Sequence, residues 1–492
     1  MSYAYTVLNT VIGLLMSAFI IQRVGKTDYG IYQAVTAFAS YLALFEMGTG
    51  TIINRNISLC KKDGTEDDAL QKNISTLWSI TIVLSCVIGA VSVGFYFSMD
   101  WIYKASMSAA QIAFGKPLFV LTVVKLISSF FQQTLNGTMI GFEHYSASKI
   151  ISIAHLLLRT CLVAVLLVFK PGVYPVVVTD AVLGVLTVLT SLIYCRKKHP
   201  FKFTMRFFDK EIFRNAMPLA LALLLQTVIN MANNSVDKFV ISIRMTPDNV
   251  AVYAVAMYIY TTFSTIMTIP ITMYMPQVAK DMRAGKKEME LTKTMIQPSR
   301  LAVTVGGLVL FGFIAVGRPF IRLMYGQDYI QAWTIAVLIM IPSLVQMTNG
   351  VMANVLDILN KRHIRSIILM GTTLFNIVLT VWWVYTWGMV GAAAATALSL
   401  ITGQIVIMNT YYAKKIKIKI LYLFAQSYKG ILPCLIVSCA AAAGVTMLLR
   451  NDWLKLLLGG CSFVLMFAVL FLLFGANQEE KKMIVGKLRK RF

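Results

Sequence analysis

Arg23-Val-Gly-Lys-Thr-Asp-Tyr-Gly-Ile-Tyr32 opens the stretch that decides the fold; residues 33–54 continue it as a largely apolar run, and Arg55-Asn-Ile-Ser58 closes it. An α-helix rises about 1.5 Å per residue, so an apolar run of roughly twenty residues covers the hydrocarbon thickness of a bilayer. The stretch therefore reads as a short polar turn between two membrane-length helices. Within the second helix stand Glu46, Gly48 and Gly50, and Arg55 lies near its end. A lipid-facing helix should carry neither the carboxylate nor the guanidinium.

Outward from this stretch the same pattern repeats. The chain has 492 residues, of which 58% are hydrophobic and 13% charged, where a soluble protein carries about 25% charged residues. About fourteen spans of crossing length can be placed, at residues 3–22, 32–54, 75–98, 112–135, 149–168, 174–195, 217–236, 250–275, 299–317, 329–355, 366–386, 389–411, 428–449 and 454–474. The expected fold is an all-α integral membrane protein with no soluble domain able to hold a core of its own. The first run begins close to Met1 without a basic flank or a small-residue cleavage site, which reads as a retained span rather than a signal peptide. The seven cysteines lie mostly inside apolar spans without paired spacing, which argues for packing and against disulfides or metal.

A net charge of +24 raises the question of nucleic acid. The lysines and arginines sit in loops between apolar helices with no interleaved aromatic platform, so the excess reads as a membrane-topology bias. Basic groups follow every second span, at Lys61–Lys72, Arg196–Arg214, Lys280–Lys293, Lys361–Arg365 and Lys414–Lys419, and again at Lys481–Arg491. The expected topology is multi-pass, with both termini cytoplasmic.

The chain also repeats itself. Asp28-Tyr-Gly-Ile-Tyr32 is echoed by Asp248-Asn-Val-Ala-Val-Tyr253, an offset of 253 − 32 = 221 at the tyrosines, and Gly172-Val is echoed by Gly391-Ala, an offset of 391 − 172 = 219. Six spans separate the copies, so both run in the same direction. The expected organisation is an N-terminal six-helix bundle over residues 1–215, a second over 216–420, and two further helices with a basic tail over 421–492.

Ionisable groups inside spans usually face a partner or an aqueous cavity. Glu46, Lys125, His155, Arg159 and Asp180 belong to this class, as do Gln226, Asn230, Asn234 and Asp237, whose spacing makes one polar stripe. An internal pair such as Glu46 with Lys125 would lock the bundle. Against that reading, the cations Arg55, Lys125 and Arg159 all fall in the first bundle, which suits an anionic cargo such as a pyrophosphate. His155 is the titratable group suited to proton coupling. Gly137-x-x-x-Gly141 has close-packing spacing but falls in a turn on this placement of spans. Enzyme readings fail on spacing: Gly25-Lys26-Thr27 lacks the leading glycine of a phosphate loop, and no His-Glu-x-x-His or Cys-x-x-Cys occurs.

Gly25-Lys-Thr-Asp-Tyr-Gly-Ile-Tyr32, Gly48-Thr-Gly50 leading to Arg55, Asp237-Lys238 and Gly388-Met-Val-Gly-Ala-Ala-Ala-Ala-Thr396 together resemble the polysaccharide repeat-unit (O-antigen, Wzx-type) flippases of the multidrug/oligosaccharidyl-lipid/polysaccharide exporter superfamily. The resemblance covers essentially the whole chain. Family members carry more sequence before the first span, so the natural start is expected upstream. The resemblance implies a MATE-like fold and export of an undecaprenyl-pyrophosphate-linked oligosaccharide by alternating access. Arg55 would grip the diphosphate, Lys125 and Arg159 would continue the path, and Asn230, Asn234 and Asp237 would offer hydrogen bonds to sugar hydroxyls. Glu46, His155 and Asp180 are the coupling candidates. No enzyme activity, cofactor or metal is expected; H+ or Na+ coupling stays open. Expected partners are the lipid-linked oligosaccharide, membrane lipids and polysaccharide polymerase machinery, with no nucleic acid and a monomeric chain. A sister lipid II flippase and a MATE-type cation-coupled drug antiporter remain the alternatives.

Overall fold

The computed structural model describes residues 2–46, 48–62, 67–198, 207–283, 288–350, 352, 355–356, 362–477 and 480. At some helical positions, Asn230 and Asn234 among them, it describes the backbone alone. Among the described residues the chain is helical, without strands. Hydrocarbon offers backbone groups no partner, and a helix satisfies its own. Eleven helices among the described residues are long and apolar enough to cross a membrane. The sequence placed about fourteen spans, and the two counts differ at three places. Helix α1 (Ser2–Val24) contributes only the shorter apolar stretch Leu8–Val24, the second span is interrupted, and residues 364–416 form one run that contains a reversal.

By its internal contacts the chain divides into two compact units, Met1–Ala251 and Val252–Phe492. In the first, Gly25 alone separates α1 from α2 (Lys26–Ala39), with φ +88. The polar turn expected over Asp28–Tyr32 is therefore the opening of a helix, and the reversal is confined to one glycine. Helix α2 runs on as a 3-10 segment, Ser40–Glu46, and helical geometry resumes in α3 (Thr49–Lys62). The second span is thus broken, where a continuous helix was expected. Gly48 beside the break has φ +66, a region that L side chains rarely adopt, and an added Cβ there would lie 2.5 Å from Leu223 Cδ1.

Helices α4 (Asp67–Ile102), α5 (Ala109–Gly141), α6 (Tyr145–Phe169) and α7 (Val173–Lys198) follow. A reciprocal Ser108–Gln111 capping box starts α5. This helix continues six residues beyond the end expected at 135, so Gly137 and Gly141 are helical rather than part of a turn. They pack on α3: a Cβ on Gly137 would lie 2.1 Å from the Gly50 carbonyl oxygen, and one on Gly141 would lie 2.9 Å from Ile57 Cβ. The small-residue spacing is a helix–helix contact after all.

Helix α8 (Lys210–Arg244) falls in the first unit, one helix beyond the boundary at 215. Aromatic packing accounts for its place. Phe239 stacks on Phe38 at 5.7 Å between ring centres and meets Tyr41 edge-on at 4.9 Å. Tyr103 packs edge-on against Phe38 and donates a hydrogen bond to the Ala34 carbonyl at 3.1 Å. The two echoed sequences also meet. Thr27 donates to Asp248 Oδ1 at 2.7 Å, and a Cβ on Gly30 would lie 1.9 Å from the Pro247 carbonyl oxygen at the start of α9 (Pro247–Arg283).

The second unit contains the remainder of α9, α10 (Glu288–Met324), α11 (Gln331–Thr348), α12 (Arg362–Ser399), α13 (Ile420–Tyr428), α14 (Ile431–Leu448) and α15 (Asp452–Leu470). Helix α12 is a hairpin: Gly388 has φ 60 and ψ −141, and the legs on either side close together. A Cβ on Gly391 would lie 2.2 Å from the Trp383 carbonyl oxygen, and Asn376 donates to Thr396 at 3.2 Å. Helices α14 and α15 pack on α10, with Val303, Leu435, Ala442, Phe463 and Phe467 buried between them.

One side chain ties this corner together. Arg300 in α10 is 2% exposed. Its Nε and one Nη bond both Glu480 oxygens at 2.9 and 3.0 Å. Its remaining bonds go to the carbonyls of Gln426, Lys429 and Gly475, at 2.9, 3.0 and 2.8 Å. These carbonyls lie at the ends of α13 and of the helical segment that continues α15, where backbone acceptors lack intrahelical donors. Neighbouring Ser299 donates to the Thr348 carbonyl at 2.9 Å, and the Thr348 hydroxyl meets that of Tyr428 at 2.9 Å.

Gly137→Ala should destabilise the protein by about 1–3 kcal/mol through forced separation of α3 and α5. Gly89, beside open space, should accept alanine with little change; thermal unfolding in detergent of the two variants compares them. At Glu480, burial raises the carboxyl, but the Arg300 bonds and the Asn477 amide outweigh it and hold the group below its usual 4.5. A carboxyl that titrates lower when folded stabilises fully above its unfolded value, and that contribution fades as pH falls through the folded value. Wild type should therefore exceed Glu480→Gln in stability by about 1–3 kcal/mol at pH 7, and the two should converge below pH 4.5. A constant gap across that range would remove the Arg300–Glu480 bond from the account.

Candidate functional site

In the first unit, helices α5, α6 and α7 enclose a cavity of about 220 Å³. Each contributes polar groups three or four residues apart, the spacing that aligns side chains on one helix face. Lys125, Ser128 and Gln132 come from α5; Ser152, His155 and Arg159 come from α6; Asp180, Gly184 and Thr187 come from α7. A Cβ on Gly184 would lie 3.3 Å from Ser128 Cβ, so the glycine lets α5 and α7 approach closely.

Asp180 is the centre of the cavity. Its side chain is 1% exposed and receives Lys125 Nζ at 2.6 Å, Arg159 Nε at 2.5 Å and a second Arg159 nitrogen at 3.2 Å. The fork of the guanidinium matches the two carboxylate oxygens, and the ammonium shares one of them. Two cations against one carboxylate leave one positive charge in the cluster. Lys125 presents the more accessible cation, its side chain being 46% exposed. An ammonium has three N–H groups, so bonding to Asp180 leaves donors for a second anion. Half-buried His155, one turn before Arg159, faces the same cavity. Gln132, also in the lining, has a buried Oε1 with no hydrogen-bond partner among the described residues. Chemically, the arrangement can hold an anionic oxygen against fixed cations, with serine and glutamine groups beside it.

Lys125, His155, Arg159 and Asp180, four of the residues singled out from sequence, are thus gathered in one place. The others lie elsewhere. Lys125 pairs with Asp180, so the alternative of an internal lock between Glu46 and Lys125 takes a different partner here. Glu46 ends the 3-10 segment at the break in the second span, beside Gln133 of α5. Arg55 is exposed on α3, outside the cavity lining. Asp237 is buried in α8 at 2% exposure. Asn230 and Asn234 are helical, but their side chains lie outside the described residues. The sequence reading missed Ser128, Ser129, Gln132, Ser152 and Thr187; their three- and four-residue steps from the charged groups were the available signal. No cluster of metal-ligating side chains occurs among the described residues.

A family model described as polysaccharide biosynthesis protein matches residues 2–282. A putative O-antigen transporter of Shigella flexneri is 20% identical over 418 residues, covering 82% of this chain and 94% of that protein. Among solved structures, the lipid II flippase MurJ in an inward closed conformation superposes with a TM-score of 0.72 at 15% identity, over 94% of this chain and 96% of that one. An inward-facing MATE multidrug resistance transporter of the MOP superfamily gives 0.55 at 13% identity, over 85% and 98%. The fold is thus like that of MurJ and of this MATE transporter.

Asp180→Asn should destabilise the protein by about 1–3 kcal/mol, less than the 3–5 of a fully buried pair because Lys125 is half exposed. Asp180→Asn combined with Lys125→Gln should lower the melting temperature by less than the sum of the single changes, as expected of contacting residues. Strict additivity would show that the two groups do not interact.

Proposed function

Because this chain belongs to the polysaccharide biosynthesis protein family, we propose that it is a flippase for an undecaprenyl-pyrophosphate-linked oligosaccharide. It carries the repeat unit from the inner to the outer leaflet of the bacterial inner membrane, for surface polysaccharide synthesis, by alternating access between its repeats, with both termini cytoplasmic. The cluster of Lys125 and Arg159 over Asp180 is the observation that carries this reading. It is a fixed, net-positive group inside apolar spans, and a diphosphate is the anion whose oxygens suit it. Arg55, exposed at the far end of the broken second span, would make first contact with the headgroup. The reaction moves a lipid without making or breaking a covalent bond, so no catalytic residue or cofactor is called for; His155 is the group suited to H+ coupling.

The cation-coupled antiporter reading rests on the carboxylates Glu46 and Asp180. It is weakened by Asp180 being engaged by two cations, which leaves little affinity for a third. A sister lipid II flippase shares the proposed chemistry and differs in cargo.

Deletion of the gene should cause oligosaccharide-linked undecaprenyl pyrophosphate to accumulate on the cytoplasmic leaflet. Arg159→Ala and Arg55→Ala should each restore export poorly at normal expression. Accumulation of lipid II instead would assign the sister activity. Normal lipid-linked pools together with full export by both variants would overturn the reading.

A further inference from the structure

A second basic cavity, of about 430 Å³, lies in the other unit, where α10 and α14 end and α11 and α15 begin. Arg318, Arg322 and Lys455 line it. Lys419 of the basic loop Lys414–Lys419 meets Thr292 on α10, and Arg318 stands 318 − 292 = 26 residues further along that helix, about 39 Å away at 1.5 Å per residue. The cavity belongs to the end of the unit where cations are sparse, and the topology bias of the loops does not account for it.

The cations here outnumber their counter-charge. Asp452 is the carboxylate beside them, 3.5 Å from Arg322 Nη1 and 3.6 Å from Lys455 Nζ. Arg318 has no carboxylate partner among the described residues; its guanidinium lies 4.3 Å from the centre of the Trp333 ring. That ring is itself held in place. Trp333 Nε1 donates to the Phe313 carbonyl at 3.0 Å, and a Cβ on Gly317 would come within 2.7 Å of Trp333 Cδ1. Arg322 Nε is buried without a hydrogen-bond partner among the described residues, and a buried donor left unmade is unfavourable. Two guanidinium groups and an ammonium thus converge on an opening that one carboxylate cannot neutralise.

Apart from Thr446, the remaining walls are apolar, formed by Ile314, Ala315, Pro319, Ala443 and Met447 beside the Trp333 ring. Met447 and Leu448, at the end of α14, are 84% and 87% exposed, as suits side chains at the edge of hydrocarbon. A cationic rim on an apolar wall at a helix terminus matches an amphipathic ligand. We propose that this cavity binds the phosphate of an anionic membrane lipid. Arg318 and Arg322 contact the phosphate oxygens, Lys455 the headgroup, and the hydrocarbon chain lies along Ile314, Ala443 and Met447. A free inorganic anion would use the rim and leave the apolar wall bare.

Full-length protein in neutral detergent, titrated with phosphatidylglycerol or phosphatidylcholine and weighed by native mass spectrometry, tests the assignment. Wild type should retain phosphatidylglycerol in preference to phosphatidylcholine. Arg318→Gln combined with Arg322→Gln should weaken that retention by about tenfold or more, since one charge-assisted bond is worth at least a factor of ten. Inorganic phosphate should not displace the lipid. Lys455→Gln, measured alone, gives a second variant should the double change fail to fold, and should likewise reduce retention. Equal phosphatidylglycerol occupancy in wild type and folded variants would overturn the proposal. So would displacement of the lipid by inorganic phosphate, or equal retention of the two lipids by wild type.

Discussion

Polar groups enclosed in hydrocarbon have only the chain itself to bind, and the units of this protein are built around the points where that requirement is hardest to meet. In the first unit the point is Asp180. A carboxylate 1% exposed is tolerable only with opposite charge and well-placed donors, and α5 and α6 each deliver one cation to it. Three helices that apolar packing alone would leave free to slide are thereby held in one register. The excess positive charge that results is the property on which the proposed cargo recognition rests.

Close approach of backbones is the second theme. Hydrocarbon gives helices little hydrophobic reason to associate with one another, so contact depends on how closely they fit. Gly50 with Gly137, Gly184 with Ser128, and Gly391 with Trp383 are such contacts. The break at Gly48 has a different effect. It interrupts the helical hydrogen-bond pattern inside a span and leaves Glu46 at the interruption, next to Gln133. Interrupted membrane helices line protein or cavity rather than lipid, which gives this conspicuous carboxylate a setting that an intact helix could not.

Much of this was readable in the sequence, and the failures have physical causes. Run length and hydropathy identify most spans because the bilayer imposes them. The charged members of the cavity stand out because each is expensive in a span. Their pairing was not readable: Lys125 meets Asp180 across 55 residues, and helix rotation, not chain order, decides that Glu46 faces elsewhere. The Gly137–Gly141 motif was discounted because hydropathy falls at residue 135, whereas the helix persists through its polar end to Gly141. Arg300 was not singled out from the sequence. Its partners are mostly backbone carbonyls, and a sequence shows no sign of which carbonyls a helix end will leave unsatisfied.

Arg300 also bears on the order in which the chain becomes a structure. A guanidinium offers five N–H donors, and all of them are engaged, two by Glu480 and the others by Gln426, Lys429 and Gly475. Every acceptor lies more than a hundred residues later in the chain. During synthesis α10 therefore leaves the ribosome carrying a polar group whose partners do not yet exist, and that group must stay hydrated until α13, α15 and the segment through Glu480 arrive. This corner of the second unit can close only after Glu480 has been made, so its assembly waits on that later segment rather than on the insertion of its individual helices.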